Sequence, residues 1–133
     1  MGLDMYLTGE KFLMPDYHNQ PATPQEDGFR LRSKTLELGY WRKHPNLHGH
    51  IVQTFAGGKD ECQTIDLRPD DIRTIVAAVK AGNLPYTTGF FFGSSDTSPE
   101  SVANDIAIFD KALAWLQTEE LRVFRSVQYR ASW

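Results

Sequence analysis

The stretch YWRKHPNLHGH, at residues 40–50, contains the change from strand to helix on which the fold depends. Side chains alternate in character through residues 34–42, which predicts a strand. One face of this strand is expected to carry the apolar side chains Leu36, Leu38 and Tyr40. Pro45 suits the first position of a helix and disfavours helical geometry at His44. A helix is therefore predicted from about residue 45 to residue 56, where Gly57 and Gly58 end it.

Helix-capping residues and side-chain alternation also predict helices and strands on both sides of this stretch. Ser98, Pro99 and Glu100 supply a cap, a first-position proline and an acidic first turn, which predicts a long helix ending near Leu116. The other predicted elements are strands at 3–7, 61–67 and 121–129, a central strand or buried turn at 87–92, and a helix at about 69–82. The order β-β-α-β-α-β-α-β predicts an α+β fold, a mostly antiparallel sheet with about three helices packed mainly on one face.

Length and composition are those of one ordinary globular domain covering residues 1–133. The chain is 41% hydrophobic and 23% charged, with a formal net charge of -3. An acidic balance disfavours polymeric nucleic acid as a partner, because phosphate neutralisation supplies most of that affinity. Residues 14–29 hold three prolines and several polar residues, so we expect a long loop there that can act as a lid.

The sequence also indicates the compartment. Cys62 is the only cysteine, which rules out an intrachain disulfide and favours a reducing environment. We find no signal peptide at the start and no apolar run of the roughly 18 residues that a membrane helix needs. We therefore expect a soluble cytoplasmic protein with no membrane partner.

Residues 40–50 combine side chains that suit a small anionic ligand. Tyr40 and Trp41 offer flat rings for stacking, and Arg42 and Lys43 offer cations for a phosphate. A Gly-Ser-Ser turn shortly before the long helix adds backbone N–H groups. The predicted ligand-binding residues are Tyr40, Trp41, Arg42, Lys43, His48, Gly93, Ser94 and Ser95. For most of them packing alone is an equally simple explanation.

Metal binding and catalysis are the alternative chemistries. His44 and His48 have the spacing of two ligands on one helix face, but His44 precedes Pro45, so we expect no metal site and no cofactor. His48 can act as a general base with Asp4 or Asp105 orienting it. Cys62 lacks the surroundings of a nucleophile.

Three further features have mainly structural interpretations. Asp4 lies on an apolar strand, where an ion pair with Arg42 or Arg125 is expected to compensate its burial. Phe90, Phe91 and Phe92 are expected to alternate across the core. The last strand, at 122–130, is expected at a sheet edge, where it can pair between chains and make a homo-oligomer.

Several segments together resemble a group of small phage- and prophage-encoded proteins without an assigned activity. They are MGLDMYL at 1–7, YWRK at 40–43 followed by Leu47-His48, Leu84-Pro85 leading into GFFFGS at 89–94, and the final Ser132-Trp133. The likeness spans nearly the whole chain, although Pro45, Gly49 and His50 depart from it. It implies a phage origin, and with it the cytoplasm of a bacterial host, but no catalytic mechanism.

The leading expectation is a phage-type accessory protein that binds a small anionic, nucleotide-like ligand, such as a host defence signal that it sequesters. One alternative is a small phosphoester hydrolase that uses His48 with Asp4 or Asp105. Another is a protein-binding inhibitor of a host enzyme that acts through an aromatic surface.

Overall fold

The computed structural model describes residues 2–15 and 24–133. Within those residues the chain forms six strands and three helices, which confirms the α+β class. In chain order they are β1 (Asp4–Leu13), β2 (Gln25–Glu26), β3 (Phe29–Arg30), β4 (Ser33–Arg42), α1 (Pro45–Phe55), β5 (Ile65–Leu67), α2 (Pro69–Ala81), α3 (Pro99–Leu116) and β6 (Val123–Ser132).

The main sheet has the strand order β4-β1-β6-β5, and all its neighbouring strands are antiparallel. Strand β6 pairs with β1 on one side and with β5 on the other. The expectation of a free edge over residues 122–130 is therefore wrong at residues 127–129, where β5 pairs with β6, whereas within the described part of the chain residues 123–126 pair with β1 alone. Among the strands described, β4 and β5 hold the two edges of this sheet.

All three helices cover the same face of this sheet. Met5, Leu7 and Val127 project from the central strands into a core that also contains Ile51 and Phe109 from the helices. The opposite face leaves aromatic side chains at least one-third exposed, among them Tyr6, Phe12, Tyr40 and Phe124. The expected packing of the helices on one face is confirmed.

Strand β4 departs from simple alternation. Leu7 pairs with Gly39 and Thr8 pairs with Glu37, so Leu38 is an extra residue in a bulge. Leu38 therefore packs partly against the core, whereas Tyr40 stays exposed. The expected grouping of Tyr40 with Leu38 on one face is wrong, because the bulge at Leu38 shifts the side-chain period by one residue.

The helix ends follow the sequence signals. Ser98 accepts a hydrogen bond from the Ser101 N–H at the start of α3. Asp71 accepts one from the Arg68 N–H at the start of α2. Gly82 ends α2 in the left-handed conformation, with φ of 68°. Capping chemistry acts locally, and this is why these boundaries were predictable.

Residues 87–92, predicted as a central strand or a buried turn and counted as a strand in the element order, form no strand, and Phe90 and Phe91 lie in a turn. The Phe92 N–H donates to the Gly89 carbonyl at 3.2 Å, and Phe91 adopts a positive φ of 63°. Only Phe92 is buried, while Phe90 is 79% exposed and Phe91 is 48% exposed. The expectation of three alternating core rings is wrong because the flanking glycines let the chain curl before it can extend.

Two other predicted segments also differ from expectation. The strand expected at 61–67 is limited to Ile65–Leu67, and Cys62 lies before it with φ of 55°. The expected loop and lid at 14–29 fall partly outside the described residues, which omit 16–23. At the end of that segment, β2 and β3 form a short exposed hairpin.

Gly39 provides a test of how α3 packs on the sheet. A Cβ atom there would lie 2.6 Å from Ile108 Cγ2 and 3.0 Å from the Trp41 ring. Gly39→Ala should therefore lower the free energy of unfolding by about 1–3 kcal/mol in urea titrations. The exposed neighbour change Glu37→Ala should stay within about 0.5 kcal/mol of wild type. Equal stability of both variants would contradict this packing.

Candidate functional site

Asp105 is a carboxylate inside the protein, only 2% exposed on the core side of α3. The Trp41 indole N–H donates to Asp105 Oδ1 at 2.8 Å, and His44 Nε2 lies 2.7 Å from Oδ2. A buried carboxylate needs such donors, because its lost hydration costs several kcal/mol. Asp105 therefore joins three parts of the fold: strand β4, the start of α1, and α3.

Ser95 extends this network toward the surface. Its Oγ atom accepts a hydrogen bond from the Asn46 N–H at 3.0 Å and lies 2.8 Å from His44 Nδ1. A carboxylate can only accept, so Nε2–H donates to Asp105; in the neutral ring Nδ1 is then bare and accepts from the Ser95 hydroxyl, whose oxygen keeps a lone pair for the Asn46 N–H. The result is an ordered array: hydroxyl to imidazole to carboxylate. We call Ser95, His44 and Asp105 the His44 array.

The array also explains how α1 begins. His44 is the N-cap residue but makes no side-chain cap hydrogen bond to the helix. Ser95 supplies that bond from the loop before α3, at Asn46. The Asn46 side chain in turn accepts a hydrogen bond from the Thr87 N–H at 3.0 Å. The loop between α2 and α3 is thereby held against the first turn of α1.

A cavity of about 190 Å³ lies beside the array. Its polar lining includes His44, Asn46, Asp96 and Asp105, and its apolar lining comes from Val79, Leu84 and Val102. Ser95 is bonded to two of these lining residues and precedes a third in the chain. Apolar walls with a few convergent polar groups are typical of small-molecule sites.

The cavity carries negative charge. Hydrogen bonds from Ser98, above all from its backbone N–H, hold the pKa of Asp96 below its usual value, and the nearby His44 adds to this. Asp96 is therefore ionised at neutral pH. A ligand in the cavity meets this carboxylate together with the buried carboxylate of Asp105.

His48 belongs to a second array, the His48 array, on the next turn of α1. Its Nδ1 atom lies 2.5 Å from the Tyr129 hydroxyl, and its Nε2 atom lies 2.8 Å from Asp60 Oδ2. The Trp133 indole N–H donates to the other Asp60 oxygen at 3.2 Å. Burial raises the pKa of Tyr129 far above its usual value, so this hydroxyl stays protonated. The His48 array has the same order of groups as the His44 array, but its hydroxyl is 1% exposed.

Asp4 lies on the outer face of the sheet with Tyr40 and Arg42. The Tyr40 hydroxyl donates to Asp4 Oδ1 at 2.5 Å, and Arg42 Nη1 lies 3.0 Å from the same oxygen. The Tyr40 hydrogen bond, with the charge of Arg42, holds the pKa of Asp4 below its usual value. Of the expected ion pairs, the one with Arg42 is confirmed, whereas Arg125 pairs with Glu120.

Lys43 lies between the chain start and the Gly-Ser-Ser turn. A Cβ atom at Gly93 would be 3.0 Å from Lys43 Cδ, and one at Gly2 would be 3.4 Å from Lys43 Cε. Arg42 Nη2 would be 3.2 Å from that Gly2 Cβ atom. The structure therefore brings Arg42 and Lys43 together near Gly2, and Lys43 also lies against Gly93 in the exposed turn.

Several residues of the predicted pocket are placed elsewhere. Trp41 is 7% exposed and stacks on Phe109 with ring centroids 5.3 Å apart, so it presents no face to a ligand. His48 is 2% exposed, and its carboxylate partner is Asp60 rather than Asp4 or Asp105. Trp41 is buried because successive strand residues point to opposite faces of the sheet, and Tyr40 occupies the exposed face.

The three clustered histidines have separate surroundings. His44 contacts Ser95 and Asp105, whereas His48 contacts Tyr129 and Asp60. His50 packs edge-on against Phe55. Among residues 2–15 and 24–133, we find no group of three or more His, Cys, Asp or Glu side chains that could hold a metal ion.

Sequence reasoning missed the role of His44, which it considered only as a metal ligand. One signal was present: Asp105 lies three residues after Val102 and four before Phe109, and so falls on the apolar stripe of α3. A carboxylate at such a position requires a buried donor. No comparable signal marks Asp60, which lies in a loop and meets His48 only through the tertiary fold.

Comparisons with known proteins identify no relative of this chain. No family model matches the chain, and neither a curated protein nor a solved structure matches it. Within the part of the chain that the structure describes, no helix has the length and apolar character needed to cross a membrane.

The His48 array predicts a stability cost for losing one hydroxyl. Tyr129→Phe keeps the ring but leaves His48 Nδ1 buried without a partner, so the free energy of unfolding should fall by about 1–3 kcal/mol. Urea titration measures this. The control Tyr86→Phe, at a ring that is 84% exposed, should stay within about 0.5 kcal/mol of wild type. A neutral Tyr129→Phe would show that the contact contributes nothing.

His50 predicts a pH dependence of stability. Burial lowers its pKa from the ordinary 6.5, because its partly enclosed ring disfavours the charged form. The unfolded chain then binds more protons than the folded chain between the two pKa values, so stability falls as pH decreases through that window. In urea titrations from about pH 8 to about pH 5, wild type should lose stability relative to His50→Leu. A constant difference between them would contradict this assignment.

Proposed function

We propose that this protein binds a compact, uncharged or cationic small molecule in the cavity beside the His44 array. The observation that carries the proposal is a cavity with apolar walls into which His44, Asn46 and two carboxylates converge. Such a combination supports both affinity and orientation, since the apolar walls exclude water and the polar groups select a pose.

The size of the cavity limits the ligand. At about 190 Å³ it is somewhat larger than the roughly 150 Å³ apolar cavity that accepts benzene. One ring with a single polar substituent fits such a volume. A nucleotide, which combines a base, a sugar and a phosphate, exceeds it.

The charge of the cavity limits the ligand further. Asp96 is ionised, and Asp105 already accepts two hydrogen bonds from protein donors. An anionic group would meet electrostatic repulsion, whereas a donor or a cation would be attracted. These considerations favour an amide, an alcohol or an amidine over a carboxylate or a phosphate.

The second candidate is the anion-binding function that the sequence predicts, in a phage-type accessory protein with a nucleotide-like ligand. The observation that favours it is the position of Lys43 against Gly93, with Arg42 and Lys43 both near Gly2. This surface lacks the stacking ring of Trp41 and the imidazole of His48, both of which are buried. It therefore supports phosphate binding through charge alone.

Three ligands of one shape separate the two candidates: benzamidine, benzamide and benzoate. In two-dimensional NMR titrations, benzamide and benzamidine should shift the amide signals of residues around the cavity, including Val102 and Leu84, with dissociation constants near ~1 mM. Benzoate should leave them unchanged. Inorganic phosphate tests the second candidate by its effect on Lys43 and Gly93.

Val102→Phe provides the control, because the larger ring occupies the cavity volume. It should abolish the benzamide-induced shifts while the protein remains folded by circular dichroism. Val123→Phe, at a partly buried site in another part of the fold, should retain them. Tighter binding of benzoate than of benzamide, or shifts confined to the Arg42 and Lys43 surface, would overturn the cavity proposal.

A further inference from the structure

We propose that the His44 array is catalytic, with Ser95 as the nucleophile in the hydrolysis of small uncharged esters. This inference rests on the proposed function, since the substrate's acyl group would occupy the same cavity. Catalysis goes beyond binding, because the Ser95 hydroxyl forms a covalent bond to the substrate. The residues also differ from those of the hydrolase that the sequence predicted, which relied on His48.

The geometry matches what an activated serine requires. A base lies within hydrogen-bonding reach of the hydroxyl at 2.8 Å, and a carboxylate orients the base at 2.7 Å. His44 and Asp105 are buried, at 7% and 2% exposure, while Ser95 is partly exposed. Ser95 is thus the most exposed residue of the array.

The two imidazole nitrogens exchange the roles they have in the familiar serine hydrolases. Here Nδ1 faces the hydroxyl and Nε2 faces the carboxylate. Proton transfer needs only that one nitrogen accepts while the other is held protonated, so this exchange preserves the chemistry. Asp105 fixes that tautomer, and the Trp41 N–H keeps Asp105 in place, which makes Trp41 a positioning residue.

The start of α1 supplies a favourable field for the developing charge. Asn46 donates its backbone N–H to Ser95 Oγ, and the first turn of α1 contains no acidic residue. The Asn46 N–H and the positive end of the helix dipole therefore face Ser95 Oγ, which favours negative charge on that oxygen. The negative charge of Asp96 would repel a phosphate ester. It does not repel an uncharged ester.

The reaction proceeds in two steps. Ser95 Oγ forms a bond to the acyl carbon while its proton moves to His44 Nδ1, and the bond from that carbon to the alcohol oxygen breaks as the same proton passes to the alcohol. Water then attacks the acyl-serine carbon, with its proton moving to His44, and the proton returns to Ser95 as the acid leaves. The only other reactant is water, and the reaction involves no change of oxidation state.

A purely structural array, in which Ser95 only caps α1, would show the same hydrogen bonds. The two roles differ in how Ser95 reacts with an electrophile. A hydroxyl that only caps a helix reacts no faster than any other serine, whereas one paired with a base reacts faster by roughly 10²–10⁴-fold. Ser94, exposed and adjacent in the chain, is the matched reference within the same molecule.

The test uses diisopropyl fluorophosphate, a small, uncharged reagent whose phosphorus accepts the serine oxygen as fluoride leaves. The full chain is incubated with the reagent, and peptide mass spectrometry measures modification at each position over time. We expect Ser95 to be modified at least about 100-fold faster than Ser94. His44→Gln should remove that advantage.

Equal rates at Ser95 and Ser94 in the wild-type chain would overturn the catalytic proposal, whether or not His44→Gln folds. If benzamide still shifts the cavity signals in that case, binding stands and only catalysis fails. If benzamide also has no effect, both proposals fail. Fast modification at Ser95 that persists in a folded His44→Gln variant would equally contradict the assigned base.

Discussion

The burial of Asp105 is the constraint on which the arrangement of this protein depends. A carboxylate with 2% exposure is tolerable only with donors held in place, and Trp41 and His44 meet that need from two different elements. Satisfying Asp105 fixes the end of β4, the start of α1 and the tautomer of His44 together. Ser95 then brings the loop before α3 to the same point, and the cavity lies where these segments meet.

The His48 array contains the same kinds of groups as the His44 array, but its hydroxyl is shielded from solvent. Tyr129, His48 and Asp60 repeat the order of hydroxyl, imidazole and carboxylate, and Trp133 supplies the indole donor that Trp41 supplies in the first array. Its hydroxyl is buried on β6 and its phenol stays protonated. The contacts tie the end of the chain to α1, which is a structural role. The first array differs by its partly exposed serine and by the cavity beside it.

Local signals in the sequence predicted the fold class, the helices and the long strands, because capping and side-chain periodicity act over a few residues. They failed where tertiary packing decides. The bulge at Leu38 changes which side chains of β4 face the core. Glycines on either side of Phe90–Phe92 favour a turn in a segment that the predicted element order counts as a strand. The partner of His48 could not be predicted, because Asp60 reaches it only through the folded chain. Asp105 was the exception, since its position on an apolar stripe already implied a buried donor.

The direction of the hydrogen bonds through His44 decides whether Ser95 can act as a nucleophile, and imidazole nitrogen NMR measures it. Long-range proton–nitrogen spectra of ¹⁵N-labelled protein at neutral pH distinguish a protonated ring nitrogen from a bare one. We expect a neutral His44 ring in which Nε2 carries the proton and faces Asp105, while Nδ1 carries none and faces Ser95. A proton on Nδ1, whether in the opposite tautomer or in a doubly protonated ring, would contradict it, because Nδ1 could then not accept the proton of Ser95.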